Sequence, residues 1–145
     1  GQVNYSILDV PYFTQACHCN DCKKSTGSSF VVHSMIHEDD LSIDGEMGSA
    51  ELSTGSGAGQ WAYFCTNCGV YLYCKYKIAE SEKRLAIRSK TLSNSNAFPP
   101  QAHIFVKDKD PWINLDGIKN CFDTMYDREK VWPEKSLKRL KEKIS

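Results

Sequence analysis

The sequence predicts a mainly β fold: one domain of short antiparallel strands with a short C-terminal helix. Short runs in which apolar and polar residues alternate recur from Val3 to Val106, each broken by Gly, Ser, Asn or Pro. Only the last residues carry a helical period, with Leu137, Leu140 and Ile144 following Pro133-Glu134-Lys135. Two cysteine clusters, at 17–22 and 65–68, interrupt the strand pattern at spacings suited to metal.

In chain order, alternation at Val3, Tyr5 and Ile7 predicts the first strand. Asn20 or Asp21 is expected to cap a single helical turn through Lys23 and Lys24, which Gly27 stops. Strands are expected in Ser29 to Ile36 and around Leu41 and Ile43. The stretch 45–59, rich in Gly, Ser and Ala, reads as a long hairpin excursion or a mobile loop. Strands follow in Trp61 to Phe64 and Val70 to Tyr76, on either side of the second cluster, then in Leu85 to Arg88 and His103 to Val106. The loop 94–100 before His103 is long enough to edge a binding site.

The 145 residues, 41% hydrophobic and 25% charged, suit one compact domain and show no internal repeat. We divide them into a zinc-binding domain over 1–127 and a basic helical segment over 128–145, packed on or extending it. No apolar run approaches the roughly 18 residues that cross a bilayer, and the start lacks a signal-peptide pattern. A cytoplasmic protein without a membrane partner is expected. A formal net charge of zero argues against a dedicated nucleic-acid binder. Residues 128–145 hold seven basic and three acidic side chains, so this tail is positive and the rest correspondingly negative. A solvated basic face over a docked apolar stripe is the plain reading, with a partner or membrane surface as its rival.

Seven cysteines are an odd number, and five of them lie in the two clusters, so reduced metal-binding thiols fit better than a disulfide scaffold. Cys17-x-Cys19-x-x-Cys22 brings three thiolates to one soft ion and leaves a fourth tetrahedral position open. Cys65-Thr66-Asn67-Cys68-Gly69 is a zinc-knuckle half-site in which Gly69 permits a positive φ. A redox CxxC normally opens a helix, whereas a strand follows here. Two thiolates need partners, and the first cluster, Cys74, Cys121 or a histidine could supply them. His18 lies between ligands, yet alternation points it away from the sulfurs. His33 and His37 lack companions at metal spacing and read as core or surface residues, and Cys74 and Cys121 as buried small hydrophobes. Trp61, Trp112 and Trp132 read as core or pocket wall.

The string Ala16-Cys17-His18-Cys19-Asn20-Asp21-Cys22-Lys23-Lys24-Ser25-Thr26-Gly27-Ser28, with Phe64 to Gly69, Pro100-Gln101-Ala102-His103-Ile104 and Pro111-Trp112, resembles the glutathione-dependent formaldehyde-activating enzyme family. That family also includes centromere protein V. The resemblance implies a catalytic zinc on Cys17, Cys19 and Cys22. It implies a second, structural zinc on Cys65 and Cys68, completed by an N-terminal CxC whose place falls before Gly1. We expect that pair to precede Gly1 in the natural protein; otherwise the structural site is incomplete. Lys23, Lys24 and His103 become candidate substrate-binding residues. The implied activity is that of a zinc-dependent carbon–sulfur lyase or synthase on glutathione adducts, with glutathione or a related thiol and a small carbonyl, such as formaldehyde, as partners. The alternative is a non-catalytic zinc scaffold. Oligomeric state is not encoded in any of these motifs.

Overall fold

The computed structural model describes residues 1–54 and 57–145. Nine strands run β1 (Asn4–Ile7), β2 (Phe13–Cys17), β3 (Val31–His37), β4 (Leu41–Asp44), β5 (Met47–Leu52), β6 (Gln60–Cys65), β7 (Tyr71–Tyr76), β8 (Arg84–Arg88) and β9 (Ala102–Ile104). Three α-helices are α1 (Asn20–Thr26), α2 (Arg128–Val131) and α3 (Glu134–Ile144). Seven strands form one sheet in the order β5-β6-β7-β8-β3-β2-β9, and β1 pairs with β4 in a separate two-stranded ribbon. The architecture is therefore mainly β, as the alternation predicts.

Two details depart from the sequence reading, and a third decides between its alternatives. Strand β9 lies parallel to β2, with Ala16 opposite His103, so the sheet is mixed rather than wholly antiparallel. Strand β2 shows no apolar–polar alternation because all five of its residues are buried. Both of its faces are covered, and a doubly covered strand has no need of a polar face. Strand β5 occupies the first half of the stretch 45–59 and pairs antiparallel with β6, which makes that stretch a hairpin arm; Gly55 and Ser56 within it lie outside the described residues.

The core gathers under β2 and β3, where Tyr12, Phe13, Met35, Cys74 and Ala86 meet Trp132 and Leu140 of the C-terminal segment. Trp132 stacks on Phe13 and Tyr12 at centroid distances of 5.6 and 6.3 Å and donates from Nε1 to the Tyr126 hydroxyl at 2.8 Å. Leu137 and Leu140 of α3 face this cluster, as their spacing predicts. Two basic residues of α3 turn back onto acidic groups of the body, Arg139 pairing with Asp9 at 3.4 Å and Lys143 with Asp40 at 3.1 Å, while Lys141 pairs with Glu129 of α2 at 3.5 Å. Docking thus offsets part of the charge asymmetry. Cys74 is fully buried, as expected, but Cys121 is only half-buried and Trp112 is 73% exposed, so neither belongs to the core. Trp112 follows Pro111 in a run of turns that no strand covers, which leaves its ring nothing to pack under. Among the described residues, no helix is long and apolar enough to cross a membrane.

Candidate metal centre

The first cysteine cluster forms where β2 ends and α1 begins. Cys17 is the last residue of β2, Cys19 is the N-cap of α1, and Cys22 lies on the first turn of the helix. The expected cap on Asn20 or Asp21 shifts by one residue or two, because Cys19 Sγ accepts from the Cys22 N–H at 3.3 Å. Gly27 ends the helix at φ +65°, and its N–H bonds to Lys23 O at 2.8 Å. Turn and cap together bring the three sulfurs within 4.8 Å of one another. Tetrahedral zinc–thiolate bonds of about 2.3 Å would space them by roughly 3.8 Å, so the set fits a metal after only a small contraction. Cys17 and Cys22 are buried while Cys19 is half-buried, so the cluster reaches solvent on the Cys19 side.

Electrostatics separates the three thiols. Hydrogen bonds from the Cys17 and Cys22 thiols, reinforced by backbone N–H groups at the start of α1, hold Cys19 down to about 2. The same sharing pushes Cys17 up, with burial adding to it. For Cys22 the contact with Cys17 favours the thiolate, but the bond to Cys19 and burial outweigh it and push the thiol up to about 12. Within the cluster, negative charge is thus favoured at Cys19 over Cys17 and Cys22.

Around it, Val31 and Ile104 pack directly against Cys17 and Cys22, and Phe105, Phe122 and Tyr126 close the apolar wall. His18 points away from the sulfurs, as alternation predicts, and its Nε2 lies 3.0 Å from Nδ1 of His103. Burial lowers both imidazoles, His18 to about 4, so the pair is neutral at pH 7. Lys23 is already engaged, donating to Asp108 O at 2.7 Å and to the Asp110 carboxylate at 2.9 Å. Lys24 is exposed on the same helix.

The second cluster stands apart. Cys65 ends β6, Cys68 is exposed in the turn, and Gly69 takes φ +76°, the conformation expected after a knuckle. Backbone N–H groups of Cys68 and Asn67 favour the Cys65 thiolate, and the charged amino group of Gly1 is near enough to add to this. A strand, β7, follows rather than a helix. Among the described residues, no third cysteine, histidine or carboxylate joins Cys65 and Cys68 at metal-ligand distance.

Two residues beside the first cluster escape the sequence reading. His33 is buried on β3 with Nε2 4.0 Å from Cys22 Sγ, and Arg88 at the end of β8 donates from Nη1 to that same Nε2 at 2.7 Å. The available signal was the charge that ends the apolar run Leu85-Ala86-Ile87 at Arg88.

Comparison with known proteins yields a family match and a likeness to solved structures. No curated protein matches the chain. A crystal structure of a Rhodobacter sphaeroides protein is similar over 83% of this chain and 89% of that one, with 14% identity and a TM-score of 0.46. The model of the family described as "glutathione-dependent formaldehyde-activating enzyme" matches residues 1–108, which contain both cysteine clusters and His103. The chain belongs to the glutathione-dependent formaldehyde-activating enzyme family.

Proposed function

We propose that the protein is a zinc-dependent carbon–sulfur lyase or synthase that joins a thiol of the glutathione type to a small carbonyl such as formaldehyde. The observation that carries this reading is the convergence of Cys17, Cys19 and Cys22 within 4.8 Å, with the side of the half-buried Cys19 open to solvent. Zinc bound there would acidify an incoming thiol and hold its sulfur as a nucleophile.

The chain's own residues would do the rest. The Cys22 N–H at the start of α1, which donates to Cys19 Sγ at 3.3 Å, would favour that ligand as an anion. Lys24 offers an exposed cation to a substrate carboxylate, while Lys23, tied to Asp110, braces α1 against the segment after β9. His103, neutral and hydrogen-bonded to His18, brings a polar group to the β9 side of the cluster. In the addition, the thiolate sulfur forms the C–S bond, the carbonyl π pair moves to oxygen, and that oxygen takes a proton. Reversal of these steps is the lyase direction.

The test uses zinc-loaded protein with glutathione and formaldehyde, following S-hydroxymethylglutathione exchange by NMR. Cys19→Ser and Cys22→Ser are expected to abolish the accelerated exchange while the far-UV spectrum stays that of the parent. Unchanged exchange in either variant sinks the assignment. A cobalt-substituted protein should shift its thiolate charge-transfer band on addition of glutathione. Full cobalt occupancy without such a shift would mean a closed site and favour a scaffold.

A further inference from the structure

Arg88 is 5% exposed, and a buried guanidinium needs an opposite charge because it cannot discharge itself by losing its proton. The groups acting most strongly on its charge are Tyr71, Cys74, Tyr76 and Cys22, with no Asp or Glu among them. Its contacts are specific. Nη1 lies 2.7 Å from His33 Nε2, Nη2 reaches Ser25 Oγ on α1 at 3.4 Å, and the Tyr71 ring lies 4.0 Å beneath the guanidinium carbon. Nε is buried and unpartnered. The arginine is thus clamped from three elements, and among the described residues no carboxylate forms an ion pair with it.

The cysteine cluster lies within reach, since Cys22 is among the groups acting on the Arg88 charge. His33 Nε2 is shared between Arg88 and Cys22 Sγ, which stand 2.7 and 4.0 Å from it, so one ring nitrogen separates cation from sulfur. Because a guanidinium only donates, this Nε2 accepts and the ring's proton sits on Nδ1. Ser25, the other contact of Arg88, donates to Cys22 O at 3.2 Å, so α1 is held to Arg88 at the residue that carries the ligand. Three thiolates around a divalent ion leave one net negative charge, and one buried arginine cancels it. A substrate thiolate entering the fourth position would then give the site a single negative charge instead of two.

We propose that Arg88, positioned by His33 and Ser25, is the built-in counter-charge of the Cys17–Cys19–Cys22 metal site and sets its affinity for metal and for an incoming thiolate. The proposal rests on the metal reading of the three cysteines. It makes Arg88 a positioning residue, in contact with neither metal nor substrate.

The experiment measures zinc dissociation constants by competition with a chromophoric chelator, and thermal midpoints with and without zinc, for the parent, Arg88→Met and Arg88→Lys. Loss of the counter-charge in Arg88→Met is expected to weaken zinc binding by about tenfold or more, the usual effect of removing an outer-shell partner. Its metal-free midpoint should equal or exceed the parent's, since an unmatched buried charge has gone, so the loss appears only in the zinc-dependent gain. Arg88→Lys should recover most of the affinity. Parent-like zinc affinity in Arg88→Met, or an equal loss of midpoint in both metal states, overturns the proposal. If Arg88→Met does not fold, Arg88→Lys decides: affinity within about threefold of the parent supports a charge role, and a loss of about tenfold refutes it. A parent that takes up no zinc fails the metal reading itself and this proposal with it, whereas a zinc-binding parent matched by Arg88→Met fails this proposal alone.

Discussion

Cys19 combines two features in one sulfur: it caps α1 by accepting from the Cys22 N–H, and of the three clustered thiols it is the one whose anion is favoured. The two can be separated, because serine is a good N-cap and a poor zinc ligand while alanine is neither. Cys19→Ser is expected to keep the metal-free stability of the parent and lose zinc binding. Cys19→Ala should lose zinc binding and also about 1 kcal/mol of metal-free stability, the usual cost of a missing cap. Urea melts of the two variants without metal check this, and coincident melts would show that the sulfur is not a cap. The candidate ligand role of Cys19 is readable from spacing, since CxCxxC is a metal pattern whatever the backbone does. The cap is not, because Asn20 and Asp21 beside it are stronger capping residues by type. His33 and Arg88 were hidden for a different reason: strand pairing brings them to Cys22 from positions 11 and 66 residues away in sequence.

Strands β3, β4, β6, β7 and β8 fall close to where the sequence reading puts them; β4 and β7 alternate in burial, whereas β3 is buried throughout and β8 nearly so. Strand β2 does not, and its inward polar groups explain both the failure and the strand's stability. Thr14 Oγ1 lies 2.9 Å from Ser34 Oγ, which lies 2.7 Å from Ser89 Oγ, a hydroxyl chain that ties β2 to β3 and on to the turn after β8. Gln15 Oε1 accepts from the Tyr126 hydroxyl at 2.5 Å. Satisfied in this way, Thr and Gln serve as core residues and erase the period that would have announced the strand. Ser34→Ala removes the middle link and leaves two buried hydroxyls short of a partner, at a cost of about 1 to 3 kcal/mol. Chemical denaturation should show that loss with zinc stoichiometry unchanged. A cost near zero would mean the hydroxyls find other partners, and the chain would then not be what fixes β2.

At the scale of the whole molecule, the C-terminal segment is joined to the sheet by cation–π contacts and a carboxylate clamp. Arg84 and Arg128 lie over the Trp132 ring, their guanidinium carbons 5.9 and 5.6 Å from its centroid, and Glu82 holds both arginines, with Arg128 Nη1 at 2.9 and 3.0 Å from its two oxygens. The sequence announces the helix through Leu137 and Leu140 but not its seat, since the tryptophan, the two arginines and the glutamate meet only after β8 is in place. Burial alone would raise the Glu82 carboxyl; the hydrogen bonds of Arg128 and Arg84 outweigh it and hold the group below its ordinary value. The sign follows from linkage. With a folded value below the unfolded one, the unfolded chain binds the proton first as pH falls. The clamp therefore contributes fully above about pH 4.5, the ordinary range for a glutamate, and is lost as pH drops through the lower folded value. In a background with Trp61→Phe and Trp112→Phe, which removes the two exposed indoles, Trp132 emission should be constant from neutral pH to mildly acidic pH and then shift to the red as its seat opens. Added salt should weaken the partly exposed ion pairs and move that transition upward. Glu82→Gln should show a weaker seat at neutral pH and a flatter acid profile. An acid transition identical in parent and Glu82→Gln would assign the docking to the stacked rings of Tyr12, Phe13 and Trp132 alone, with the charges as bystanders.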